Sequence, residues 1–170
     1  GCPFRCSFCQ HGEPGKRLKH RTLDRGRIFD EIDLFCRAGV NDIAVLDPIF
    51  NTRGWAPAIL ARFAGHGFTG RLSLQCRAEM IDGELLAATS GLHVRLELGL
   101  QTIHHDESKA VGRGNHLARI DQALAGIRAA GLDHEVSLIF GLPGQTLASF
   151  VASVRWCLER GVPTIKAFPL

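Results

Sequence analysis

Short apolar runs and segments with helical spacing alternate along most of the chain, and this alternation restricts the fold more than any other feature of the sequence. Five apolar runs have the length of buried strands, at 43–46, 72–74, 94–98, 136–140 and from 165 onward. Between them, apolar side chains recur every three or four residues, which predicts helices. Their stripes are Ile28, Ile32, Phe35 and Cys36; Ala56, Ile59, Leu60 and Phe63; Leu117, Ile120, Leu124 and Ile127; and Phe150, Val154, Cys157 and Leu158. A shorter helix is predicted from Asp82 to about Thr89.

Glycine marks the end of three of these predicted helices, at Gly39, Gly131 and Gly161. Each glycine follows the last helical turn and precedes an apolar residue, which is the pattern of a left-handed helix C-cap. Short connections of this kind lead into the strands of βα-repeat proteins. The sequence therefore predicts an α/β fold with a mostly parallel sheet, as either a barrel or an open doubly wound sheet. The 170 residues fit one domain with a sizeable core.

Three of the six cysteines lie close together at the start of the chain. Cys2, Cys6 and Cys9 have the spacing C-x3-C-x2-C, and thiolates on one loop can bind a single iron–sulfur cluster. No fourth cysteine lies nearby, so a four-iron cluster held here would keep one iron open to a substrate or cofactor. A structural zinc site completed by His11 or His20 is the alternative. Six cysteines in 170 residues are too few for a secreted domain stapled by disulfides.

The triad, with the aromatic Phe8 directly before its last cysteine, resembles the signature of the radical S-adenosylmethionine (SAM) enzymes. The resemblance covers essentially the whole chain. It implies a [4Fe-4S] cluster on Cys2, Cys6 and Cys9 and reductive cleavage of SAM to a 5'-deoxyadenosyl radical that acts on an unknown substrate. It also implies a partial (β/α)6 barrel of the TIM type whose first strand lies upstream of Gly1. A non-catalytic cluster- or zinc-binding module, such as a degenerate family member, is the alternative function.

Ligands of such barrels gather at the C-terminal ends of the strands, which are therefore the predicted SAM site. The first visible strand runs into Asp47, where many family members have a Gly-Gly-Glu turn that receives the SAM amino group. Either the Asp47 side chain or the backbone carbonyls of its turn would take that role, or Asp47 simply ends a strand before proline. The next strand ends at Arg77, which would hold the SAM carboxylate as a bidentate donor or form a structural ion pair.

The segment 97–102, Glu-Leu-Gly-Leu-Gln-Thr, resembles a strand of methylthiotransferase-like and coproporphyrinogen-oxidase-like family members. Glu97 and Gln101 are polar side chains in an otherwise apolar strand, and a buried acid needs a partner. For Glu97 the partner would be a ribose hydroxyl or the ammonium group of SAM, or else a core arginine. Arg113 lies where the family often has an arginine.

The segment 141–146, Gly-Leu-Pro-Gly-Gln-Thr, resembles a further family turn, with Gln145 in place of the usual acid. Gly141 would let the backbone approach adenine closely, and Thr146 is predicted to cap the next helix. The resemblance also implies that the last strand, at Ala167, pairs its backbone with the adenine edge.

The remaining features of the sequence concern partners and context. The net charge of +3 indicates no particular partner, and the basic residues from Lys16 to Arg27 lack the interleaved aromatics of a nucleic-acid site. No secretory leader or membrane-crossing apolar run is present, and thiolates that bind a cluster indicate the reducing cytoplasm. The resemblance further implies an electron donor of the flavodoxin or ferredoxin type.

We expect residues 1–170 to be a core domain excised from a longer protein with further domains on both sides, because the chain begins on Gly1 and its only methionine is Met80. The segments 47–51 and 97–101 are most similar to cobalamin-associated members, for which cobalamin would be held by a domain outside this chain. The substrate, and whether it is methylated, thiolated, oxidised or rearranged, are not specified by the sequence.

Overall fold

The fold alternates strands and helices as the sequence predicts, and the computed structural model describes residues 2–9, 23–52 and 54–170. The strands are β1 (Asp42–Val45), β2 (Arg71–Cys76), β3 (His93–Gln101), β4 (Asp133–Phe140) and β5 (Thr164–Pro169). The helices are α1 (Arg25–Arg37), α2 (Ala56–Gly65), α3 (Gly83–Ala88), α4 (His105–Ala110), α5 (Leu117–Ala129) and α6 (Leu147–Glu159). His11, His20 and the basic residues 16–22 lie outside the described residues.

The sheet has five parallel strands in the order β1-β2-β3-β4-β5 within the described residues. Crossover connections between parallel strands are right-handed, so strands that are always added on the same side place all their helices on one face. This sequential order is that of a barrel segment, whereas a doubly wound sheet reverses its strand order and has helices on both faces. The structure thereby resolves the choice that the apolar pattern alone left open.

The hydrophobic core lies between the sheet and the helices on its outer face. Alternate strand residues such as Leu72, Leu96 and Leu138 pack there against Leu60 of α2 and Ile127 of α5, all of them fully buried. The other residues of each strand point to the opposite, inner face, because side chains alternate along a strand. The inner face therefore keeps side chains that the core does not require.

Helix ends follow the predicted chemistry. Gly39, Gly131 and Gly161 have φ angles of 70°, 68° and 66°, which confirms the left-handed C-caps. Thr146 caps α6 with a reciprocal capping box, in which its hydroxyl accepts a hydrogen bond from the Ser149 backbone N–H at 3.1 Å. Asp82 likewise caps α3.

Two residues predicted on apolar helical stripes are exposed, and one helix was not predicted. Leu158 of α6 is 61% exposed, although its neighbour Cys157 is fully buried, and Phe35 of α1 is 38% exposed. Helix α4 is not predicted, because six residues are too few to show a helical period. No helix among the described residues is long and apolar enough to cross a bilayer.

Candidate active site

The three cysteines of the triad line one cavity of about 590 Å³. Cys6 is buried, and Cys2 and Cys9 are half-buried. We call residues 2–9 the cysteine loop. Its second half is fixed by a hydrogen bond from the Ser7 backbone N–H to the Val111 carbonyl at 2.9 Å, and by the packing of Phe8 in a small apolar cluster. The loop thus forms one wall of the cavity rather than a free terminal segment.

The ends of the parallel strands form most of the rest of the cavity, together with loop residues such as Arg77 and Arg113. Along β3, the odd-numbered residues Arg95 to Gln101 are half-buried, while the even-numbered residues between them are fully buried in the core. The strand residues that reach the cavity are Gln75, Cys76, Glu97, Gly99, Gln101, Glu135, Ser137, Ile139, Lys166, Phe168 and Pro169. A volume of several hundred Å³ with a few polar groups is typical of a small-molecule site.

At the end of β3 the backbone departs from regular strand geometry. The register with β4 shifts between Gly99 and Gln101, and Gln101 has a φ angle of 72°. A left-handed conformation is uncommon for a residue with a side chain and, where it persists, points to a functional constraint. The left-handed conformation of Gln101 changes the direction of the backbone at the end of β3, where Gln101 lines the cavity.

Arg113 lies beside this strand end and is almost completely buried. Its guanidinium donates to the Gly99 carbonyl and, through Nε, to the Asn115 side chain at 3.0 Å. Burial lowers the pKa of Arg113, and the nearby charge of Arg77 acts in the same direction, while Cys6 opposes both. A cation is therefore held next to one of the three cysteines.

Arg77 is also buried, and its guanidinium is engaged by protein groups. It forms an ion pair with Glu79, in which Nε donates at 2.8 Å, and its Nη2 donates to the Gly114 carbonyl at 2.7 Å. Its Cζ lies 3.9 Å from the centre of the Phe4 ring. The structural ion pair, which the sequence left open as an alternative, is therefore present.

A chain of three charged side chains crosses the inner face below the cysteine loop. The Glu135 carboxylate is 98% buried and accepts from Arg95 and from Lys166, each at 2.6 Å. Glu97 lies opposite Glu135 in the sheet register and has no hydrogen-bonding partner among the described residues. The arginine of β3 thus pairs with Glu135, and the core arginine considered for Glu97 is not found in that role.

The predicted site residues divide into two groups by position. The structure brings Arg77, Glu97 and Gln101 into the same cavity as the three cysteines. Asp47 instead lines an adjoining, mainly apolar cavity of about 470 Å³ between β1, α1 and α2, although Pro48 and Ile49 of its turn reach the cysteine cavity. Ala167 lies between the lining residues Lys166 and Phe168, and Gly141 lies beside the lining residue Leu170, but neither lines the cavity itself.

Gln145, which replaces the usual acid, fixes the turn that follows β4. Its Oε1 accepts from the Gly141 backbone N–H at 2.7 Å, and its Nε2 donates to the Ile139 carbonyl at 3.0 Å. A carboxylate could not make the second bond, because it has no donor. The amide therefore ties both sides of the turn together.

Cys76 and Cys157 are confirmed as buried core residues, and Cys36 is half-buried and packs against the core. Burial raises the pKa of Cys76 to about 12 and that of Cys157 to about 11, and it also raises the pKa of Cys36. Cysteine binds a metal as a thiolate, so these environments disfavour metal binding.

Among the described residues, no three His, Cys, Asp or Glu side chains converge as a ligand group for a metal ion. A single zinc ion requires such convergence, with sulfurs about 2.3 Å from the metal, whereas a cluster spreads its ligands over several irons.

The sequence did not identify Arg95 and Lys166 as residues of this site, nor their shared partner Glu135. Glu135 lies in a strand whose apolar run begins only at Val136, so it was not recognised as part of an inward-facing series. The available signal was the period of two that places 135, 137 and 139 on one face.

Fold and site together define a barrel-type α/β protein with a cysteine loop over the C-terminal edge of a parallel sheet. The sequence matches the family model of the radical SAM superfamily over residues 1–157, and the chain belongs to this superfamily. Enzymes of the family use a [4Fe-4S] cluster and SAM. The donor set fits such a cluster, because three cysteines of one loop meet a cavity that has room for a further ligand.

Three relatives illustrate the range of similarity. Protein YhcC of Escherichia coli (strain K12) is 38% identical over 80 residues, which is 47% of this chain and 26% of that protein. The cobalamin-dependent radical SAM methyltransferase TokK of Streptomyces tokunonensis is 26% identical over an alignment that covers 95% of this chain and 25% of that protein. The radical SAM methyltransferase TsrM of Kitasatospora setae, with cobalamin and a [4Fe-4S] cluster bound, superposes with a TM-score of 0.84 and 20% identity, covering 99% of this chain and 32% of that chain. The chain thus spans about a quarter of the length of the curated relatives it matches.

Proposed function

We propose that this chain is the catalytic core of a radical SAM enzyme, with Cys2, Cys6 and Cys9 as the ligands of the cluster. The observation that carries the proposal is that all three cysteines line one cavity with polar side chains from the inner face of the sheet. When a reduced [4Fe-4S] cluster and SAM are bound, they supply one-electron cleavage of SAM to methionine and a 5'-deoxyadenosyl radical, which abstracts hydrogen from a substrate.

The protein's part in this proposal is to position SAM and to exclude water. We assign the SAM carboxylate to Arg113 rather than to Arg77, because the charge of Arg77 is already paired with Glu79, whereas the Gly99 and Asn115 partners of Arg113 are neutral. Gln101 and Glu97 face the same cavity and would bind the ribose hydroxyls or the ammonium group.

The backbone would complete the SAM site. The turn after Asp47 would receive the amino group through its carbonyls, since Pro48 and Ile49 reach the cavity and the Asp47 side chain accepts from the Ile49 N–H at 3.2 Å. The backbones near Gly141 and Ala167 would contact adenine. Gly141 has a φ angle of 90°, a conformation that favours glycine, and without a side chain its backbone can be approached closely.

Anaerobic reconstitution of the full-length protein tests this function. The protein would be loaded with iron and sulfide, reduced with dithionite, mixed with SAM and assayed for 5'-deoxyadenosine. We expect product from the wild type and from Cys36→Ala, whose thiol packs on the core, and none from Cys6→Ala. A loaded, reducible cluster that gives no 5'-deoxyadenosine would favour the non-catalytic alternative. Zinc in place of iron, in protein purified without oxygen, would contradict the assignment.

We also propose that this chain is part of a longer cytoplasmic protein, and that a flavodoxin- or ferredoxin-type protein donates the electron.

We further propose that the longer protein binds cobalamin outside residues 1–170. The similarity to TokK across 95% of this chain supports the cobalamin assignment. Purification of the full-length protein after growth with hydroxocobalamin checks it. A cobalamin absorbance that co-elutes with the protein in a 1:1 ratio is expected, and its absence at saturating cobalamin would refute the assignment.

A further inference from the structure

The two halves of the cysteine loop are anchored differently. The half from Cys6 to Cys9 is held by the Ser7 hydrogen bond to Val111 and by the apolar packing of Phe8. In the half from Cys2 to Cys6, the Phe4 ring lies against the Arg77 guanidinium, with the Arg77 Cζ 3.9 Å from the ring centre, and the Arg5 backbone passes close to Gly112. The Phe4 contact links this half of the loop to Arg77, directly after β2.

Arg77 is held rigidly enough to act as the fixed side of that contact. Its side chain is 95% buried, and Glu79 and the Gly114 carbonyl accept from its edge. Its backbone is held as well, because the Asn51 side chain accepts from the Arg77 N–H at 3.0 Å and donates to the Arg77 carbonyl at 2.9 Å. These bonds hold the guanidinium in place over the Phe4 ring.

We propose that Arg77 is a positioning residue that orients the Cys2 half of the cysteine loop through its contact with Phe4. This inference rests on the proposed cluster site. The positive guanidinium attracts the negative face of the ring, and the burial of the Arg77 side chain strengthens this attraction, because less water competes for the cation. The contact keeps the Cys2 thiolate in place for the cluster, so its loss would loosen one of the three cluster ligands and accelerate cluster loss.

Phe4 provides the cleaner test, because truncation of Arg77 would leave the Glu79 carboxylate buried without its cation. Phe4→Leu keeps the apolar bulk but removes the aromatic face, whereas Phe4→Trp keeps an aromatic face with a stronger attraction for cations. Phe29→Leu is the matched control. It removes a ring that faces Arg25 and Arg62 at 5.0 and 5.6 Å, on a helix away from the cysteine loop.

The full-length protein and each variant would be reconstituted without oxygen, and the release of iron to a chelator would be followed together with the EPR spectrum of the reduced cluster. We expect iron release on the order of tenfold faster in Phe4→Leu, with an altered EPR spectrum, and wild-type behaviour in Phe4→Trp and Phe29→Leu. Equal rates in Phe4→Leu and the wild type would overturn the inference, as would a Phe4→Trp variant as labile as Phe4→Leu. A wild-type protein that assembles no cluster would overturn the proposed function as well, which separates the two failures.

Discussion

Removal of one charge from the inner face gives a quantitative test of the site. In Glu135→Gln the side chain keeps its shape but loses its charge, so one of its two cationic partners, Arg95 or Lys166, faces an amide N–H₂ group instead of a carboxylate oxygen. A hydrogen bond to a charged group contributes roughly 1.5–3 kcal/mol. The substitution therefore removes one such bond and weakens the other.

The structure reduces that value, because both cations can regain water. The Arg95 and Lys166 side chains are 28% and 47% exposed, so solvent screens the pair and the loss is smaller than the roughly 3–5 kcal/mol of a fully buried pair. We expect a loss of about 2 kcal/mol in the free energy of unfolding. With a urea dependence of about 2 kcal/mol per molar, the midpoint should fall by about 1 M.

Equilibrium unfolding in urea measures this difference, with Glu159→Gln as the control. Glu159 lies 3.9 Å from Arg160 and is 61% exposed, so its loss should change stability by less than about 0.5 kcal/mol. A Glu135→Gln variant no less stable than Glu159→Gln would refute the electrostatic account of the inner face.

Four further predictions concern the fold and the site. Gly70→Ala should cost at least ~2 kcal/mol of stability, because the new Cβ would lie 2.4 Å from the Asn41 carbonyl oxygen. Gly65→Ala is the control and should not lose this stability, because its Cβ would meet nothing within 4 Å. Urea unfolding of both variants measures the difference. Gly99→Ala should raise the SAM concentration needed for 5'-deoxyadenosine formation several-fold while the urea midpoint stays near that of wild type, because its Cβ would displace the flexible Gln101 amide. Thr146→Ala should cost about 1 kcal/mol through loss of the α6 cap, measured by the same unfolding assay, and an unchanged midpoint would show that the cap is dispensable. Hydrogen bonds from Arg62 and, to a smaller extent, His66 lower the pKa of Asp33, so the charged carboxylate stabilises the fold above the ordinary Asp pKa near 4 and this contribution is lost below it. Thermal stability should therefore fall more steeply on acidification below pH ~4 in the wild type than in Asp33→Asn. Parallel curves for the two proteins would contradict this.

The fold could be predicted from the sequence because its information is local and repeated. Glycine after each helix, such as Gly131, and the apolar runs between helices specify βα units without knowledge of tertiary contacts. Strand order could not be derived in the same way, because apolar runs in a barrel and in a doubly wound sheet have the same composition. The resemblance to the radical SAM enzymes predicted the barrel instead, and the sequential order of β1 to β5 confirms it.

The site was predictable only where it depends on residue types in one segment. The cysteine loop is such a segment, and its three cysteines line one cavity as expected. Arg77 pairs with Glu79, only two residues along the chain, but its other acceptor, the Gly114 carbonyl, and the Arg95 partner of Glu135 lie 37 and 40 residues away in sequence. The sequence left the Arg77 ion pair open as an alternative, whereas no spacing rule contains the distant contacts.

The alternation along β3 has a consequence for how such a domain can diverge. Even-numbered residues such as Leu96 and Leu98 maintain the core, whereas odd-numbered ones such as Glu97 face the cavity. Two sets of selective pressures therefore act on interleaved positions of one strand. New chemistry can arise by replacement of every second residue, with the packing of the helices left intact. The ion pairs of Glu135 limit this freedom, because there the cavity wall also contributes to the stability of the sheet.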